Sequence, residues 1–122
     1  MSEEETKQDI QAFWGALYDS LYEGVDKNLT RERLLEALGA MEDMFRLRGH
    51  MVMVDMPPED LKGRQVLEIG PGAGGHAALF AHHGACVTAI DITESRARAT
   101  AAKFRLLGAD ATGCQAMQGD AE

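Results

Sequence analysis

The chain has 122 residues, 45% of them hydrophobic, which is room for one domain and enough apolar side chain to build a core. Its net charge is −8, and its densest basic stretches, around Arg31 and Arg33 and from Arg96 to Arg105, are interleaved with acidic or apolar residues. That balance argues against a grip on nucleic acid, which needs a basic stripe along the phosphates. No apolar run approaches the ~18 residues of a membrane helix, and the opening MSEEETKQD is too acidic for a secretory leader, so a cytoplasmic protein with no membrane partner is expected.

From Glu4 to Leu21 the apolar residues Ile10, Phe13, Trp14, Leu17, Tyr18 and Leu21 recur at steps of three and four, the pattern of an amphipathic helix. Trp14, Tyr18 and Tyr22 share one face of it, either packed on a core or closing over a ligand or substrate. A second helix is predicted from Thr30, with Leu34, Leu38, Met41 and Phe45 on its apolar face, Leu35 alongside and Gly49 as its stop. Met41, Met44, Met51, Met53 and Met56 could fill a helix interface or line an apolar cleft. Pro57 and Pro58 bar helix continuation and mark a linker, so residues 1–58 are read as a helical cap with its linker and 59–122 as a second unit.

The second unit alternates strand and helix. A strand from Arg64 to Ile69 runs into a glycine-rich turn, Gly70 to Gly75, and a helix from Gly74 to His83 closed by Gly84. A strand from Ala85 ends on Asp91; Thr93 is placed to cap a helix running to Leu107, with Gly108 beyond it; a third strand spans Gly113 to Met117, ahead of Gly119 and Asp120. This β-α-β-α-β order requires a parallel sheet. Cys86 and Cys114 fall in predicted strands and read as reduced, buried thiols, and the four histidines have no metal-ligand spacing, so no metal is assigned. His76, in the first turn of the helix after the glycines, faces either solvent or a ligand's carboxylate.

In such a sheet a ligand lies beyond the carboxyl ends of the strands, at the first strand-to-helix turn. Two glycine patterns overlap there. Gly70, Gly72 and Gly75 fit the dinucleotide spacing, whereas Glu68, Gly70, Gly72 and Gly74 fit an acid-x-G-x-G-x-G spacing. Asp91, about twenty residues on, can accept from both ribose hydroxyls of an adenosine in either case. Three features separate them. Glu68 is an acid in an apolar strand, which suits a cationic ligand and repels a pyrophosphate. Pro71 removes an N–H that a phosphate would use. Gly119, Asp120 and Ala121 follow the third strand, where a carboxylate can accept from an adenine amino group, with Ile92 offering the ring an apolar face.

VLEIGPGAGG, AIDIT and QGDAE, in that order, resemble the first three cofactor motifs of class I S-adenosylmethionine-dependent methyltransferases of the small-molecule type. The resemblance covers residues 60 to 122 and implies a Rossmann-like α/β domain under an N-terminal helical cap. It also implies that Glu68, Gly70, Gly72 and Gly74 line the methionine part of S-adenosylmethionine, Asp91 the ribose, and Asp120 with Ala121 the adenine; Pro71 and Ile92 join them as cofactor-binding candidates from the residue reading above. The implied activity is methyl transfer to a small-molecule acceptor; the resemblance names no catalytic base. The family's sheet has seven strands and three are predicted here, so the chain reads as truncated after the third strand: a fragment, a half completed by another chain, or a swapped dimer joined through the unpaired first strand. An NAD-binding oxidoreductase half-domain and a non-catalytic S-adenosylmethionine-binding partner subunit are the alternatives.

Overall fold

The computed structural model describes residues 3–21, 27–49 and 55–120, with side chains at 13–21 set aside. Tyr22, His50, Met51, Met53 and Ala121 lie outside the described residues, as do the side chains of Phe13, Trp14 and Tyr18.

The helical half holds α1, Glu3–Leu21, and α2, Arg31–Arg48. Local chemistry sets both ends of α2. The Thr30 hydroxyl accepts from the Arg33 N–H at 3.2 Å, and Gly49 closes the helix in the left-handed region at φ 60°. Leu34, Leu38 and Phe45 are buried on one stripe, with Leu35 and Met41 packed beside them. The Arg31 guanidinium spans to the Leu106 and Leu107 carbonyls at 3.1 and 2.6 Å, occupying acceptors that the end of another helix leaves open. In the linker, Pro58 to Leu61 form a short 3-10 turn with Pro58 buried, and Pro57 is extended, as a residue before proline must be.

β1 (Gln65–Ile69), β2 (Cys86–Asp91) and β3 (Gln115–Gln118) form a parallel sheet in the order β1-β2-β3. The connecting helices are α3, Gly75–His82, and α4, Glu94–Leu107. Predicted and observed bounds differ by a residue or two, the largest shift being at the start of β3. A second 3-10 turn, Gly108–Ala111, takes up chain there and buries Ala111, so β3 starts at Gln115 rather than Gly113. Thr93 does precede α4, but its hydroxyl makes no cap bond; its carbonyl accepts from the Ala97 N–H at 3.1 Å. Cys86 and Cys114 are free thiols and half-buried rather than buried, and burial still pushes Cys114 above the ordinary thiol range.

Helix α3 is short and buried on nearly every side: Ala77, Ala78, Leu79, Phe80 and Ala81 are all inside. It packs on the sheet and against α2 and α4, and its alanines allow that close approach. Both connecting helices lie on one side of the sheet, over Val87, Ala89 and the buried Asp91. The opposite face is bare among the described residues, with Leu67 61% and Ile69 62% exposed on the edge strand. Replacing both by threonine puts a β-branched residue, which suits a strand, at each position while removing apolar surface. The double variant should unfold within about 1 kcal/mol of the parent, since little burial is lost, and self-associate less in sedimentation velocity runs across concentrations. A cost of several kcal/mol would mean that something covers this face.

Among the described residues no helix is long and apolar enough to cross a membrane.

Candidate functional site

The three strands end side by side, and backbone hydrogen bonds fix the loops that leave them. The Gly70 N–H donates to the Ile90 carbonyl at 2.8 Å, and the Gly119 N–H donates to the Asp91 carbonyl at 2.9 Å. Asp91, 4% exposed, turns a carboxylate oxygen back to accept from the Thr93 N–H at 2.9 Å, which fixes its orientation at the head of α4. Between these ends lies a cavity of about 490 Å³, lined by Gly70, Asp91, Ile92 and Asp120 together with Ile10, Ile69, Ile90, Arg96 and Gly119.

Four residues assigned from the motifs therefore meet at one cavity: Gly70, Asp91, Ile92 and Asp120. Pro71, Gly72, Gly74 and Glu68 do not line it. Pro71 is buried and its carbonyl accepts from the Gly74 N–H at 3.1 Å, so it holds the turn's shape. Gly74 faces α4: a Cβ there would lie 2.7 Å from the Thr100 hydroxyl oxygen and 2.9 Å from the Thr100 Cα. Gly72 faces the Arg96 guanidinium. His76 turns away and packs its ring on Phe45 of α2, centroids 5.4 Å apart. Among the described residues the methionines form no cleft at the site: Met41 packs on the core beside Gly75, while Met44 and Met56 are exposed.

The glycine conformations discriminate between the two sequence patterns. Gly70, Gly72 and Gly74 have φ of 71°, 64° and 93°, a region costly for residues with a Cβ. Gly75 has no positive φ, and a Cβ on it would meet only the flexible end of Met41, 3.6 Å away. Glycine is thus required at 70, 72 and 74, and not at 75.

Glu68 shares the helix-covered face of β1 with Val66. Its Oε2 is buried with no hydrogen-bond partner among the described residues, and burial alone pushes the carboxyl above its usual range. A carboxyl raised in this way binds more protons folded than unfolded. Stability then falls as pH rises from the ordinary carboxylate range through the raised value, and the cost is complete above it. Glu68→Gln should accordingly melt above the parent at pH 7, with the gain fading toward pH 4, as thermal unfolding over that range will show. A gain as large at pH 4 would assign the effect to packing.

Several residues of the cavity escape a reading by motif. Ile10 of α1 lines it, and two neighbours on that helix hold residues that do: Gln11 Nε2 donates to the Ile92 carbonyl at 2.8 Å, and the Lys7 ammonium pairs with Asp120 at 2.5 Å. A single turn of α1 carries Lys7, Ile10 and Gln11 on one face, the one signal that could have grouped them. Gln118 Nε2 donates to the same Ile92 carbonyl at 3.2 Å, so that loop is held from two sides. A carboxylate has room for about four hydrogen bonds, so Asp120 keeps acceptor capacity beside Lys7. Among the described residues no three His, Cys, Asp or Glu side chains gather as a metal site would require.

Comparison with family models, with curated proteins and with solved structures returns no match to this chain.

Proposed function

We propose that this chain forms the cofactor-binding part of an S-adenosylmethionine-dependent methyltransferase acting on a small-molecule acceptor. The observation that carries the reading is the glycine spacing: left-handed backbone at Gly70, Gly72 and Gly74, with no such demand at Gly75. A dinucleotide loop would place its third essential glycine at the latter.

The donor set suits an adenosine with a cationic tail. Asp91, buried and held by the Thr93 N–H, offers a carboxylate oxygen to ribose hydroxyls. Ile92 and Ile10 supply apolar walls for a flat ring, and Asp120 an acceptor for its amino group. Glu68, two residues before Gly70, does not line the cavity, but its carboxyl oxygen with no hydrogen-bond partner among the described residues suits a positive charge nearby and not a phosphate. When bound, S-adenosylmethionine would supply the electrophilic methyl group. The residues here bind and orient; catalysis of this kind rests on positioning. The acidic balance of the chain favours a small acceptor over nucleic acid.

Calorimetric titration tests the reading. S-adenosylmethionine and S-adenosylhomocysteine should give saturable heat at one site per chain, and NADH none. NADH binding without a response to S-adenosylhomocysteine would replace the reading with a dinucleotide site.

A further inference from the structure

We propose that β1 pairs edge to edge, antiparallel, with β1 of a second copy of this chain, which sets a residue of that copy at the open side of the cavity. β1 is the end strand of the sheet, and among the described residues β2 is the element packed along it. Its bonds to β2 use alternate residues. The Arg64 carbonyl accepts from the Cys86 N–H at 2.8 Å, and the Gly70 N–H donates to the Ile90 carbonyl at 2.8 Å. Backbone groups alternate in direction along a strand, so Gln65, Leu67 and Ile69 turn their N–H and C=O groups to the open edge. No proline, lysine or bulge blunts that edge.

The edge is complementary to itself. Turned about a twofold axis beside Leu67, it sets Leu67 against Leu67 of the second copy and Gln65 against Ile69. Each facing pair exchanges two N–H···O bonds, about six in all, and the twofold contact closes at a dimer. Charge permits the approach. From Gln65, Leu67 and Ile69 across Thr88 and Ile90 to Met117, the bare face carries no charged side chain, in a chain that is 26% charged with a net −8. Two copies of so acidic a chain meet there at least cost. Glu68, on the other face, falls opposite Val66 in this register and not opposite its own counterpart. Area sets the strength. Five-residue strands joined along one edge bury well under the ~800 Å² per partner of a standard interface, so the dimer is reversible and forms at micromolar concentration or above. Ile69 lines the cavity and is 62% exposed, so Gln65 of the second copy stands at that wall.

Sedimentation velocity and cysteine cross-linking of the full chain test this. The parent should rise toward dimer mass between ~5 and ~500 µM, and added salt should not weaken it, since no ion pair spans the contact. A parent that stays monomeric overturns the proposal and leaves the edge to a different chain. Leu67→Pro removes the central outward N–H, which the bonds to β2 do not use. It should weaken the dimer at least about tenfold with little change in unfolding midpoint. Met117→Lys charges the same face away from that edge and should leave association within about twofold. A loss as large as that of Leu67→Pro would mean that the bare faces stack, which overturns the pairing. Should Leu67→Pro fail to fold, cross-linking decides alone. Leu67→Cys should join copies through a disulfide on treatment with diamide. Ile69→Cys, which this register holds well apart from its counterpart, should cross-link no more than the parent with its free Cys86 and Cys114. Equal linking at 67 and 69, or none at 67, overturns the pairing.

Discussion

Gly74→Ala should destabilise the fold by about 3 to 5 kcal/mol, enough to leave a domain of this size largely unfolded or insoluble. Two costs add. The Cβ would meet the Thr100 Cα at 2.9 Å, and backbone cannot step aside as the end of a long side chain can. The residue would also sit at φ 93°, a conformation that L side chains rarely take. The neighbouring substitution is the control. Gly75→Ala begins α3 with a better helix former and touches only the end of Met41, so it should be neutral or gain up to about 1 kcal/mol. Denaturant unfolding of the pair reads the difference directly. Similar midpoints for the two variants would mean that α3 and α4 do not approach as described, and the argument from glycine spacing would go with them.

Asp91→Ala should weaken S-adenosylhomocysteine by about 100-fold or more in calorimetry, because charged hydrogen bonds to two ribose hydroxyls disappear together. Asp91→Asn keeps the shape and one acceptor and should fall between. The loss should not come from unfolding. The Thr93 N–H gives up one hydrogen bond in the alanine variant, worth about 1 kcal/mol. A dissociation constant unchanged in the alanine variant would place the ribose elsewhere and remove the basis for the adenosine site.

What the sequence discloses is whatever depends on near neighbours. The ends of α2 are legible because Thr30 and Gly49 act within a turn of the helix they bound. The strand-helix alternation is legible because Gly70, Gly84 and Gly108 punctuate it, and Asp91 is found because it stands at a strand end where parallel sheets bind. What it hides depends on contacts between distant segments. Nothing in GPGAGG distinguishes Gly74 from Gly75; Thr100, on another helix, does. Arg96 reads as one member of a basic stretch until α4 is laid against the loop. Ile10 reads as part of a core stripe, yet it is 41% exposed and faces the cavity. QVLEI reads as a mostly apolar strand, and nothing within it tells that Leu67 and Ile69 stand open while Val66 packs on the core.

The tie between α1 and the cavity has a kinetic consequence. Gln11 reaches a carbonyl 81 residues further along the chain, and Lys7 reaches the segment after β3. Both partners depend on the pairing of β2 and β3, so α1 is expected to settle after the sheet in folding and to release before it. Hydrogen exchange should find its amide protons released ahead of those of α3. Release of α1 would uncover the side of the cavity that Ile10 lines, and the rate of that release would then bound how quickly a ligand enters and leaves.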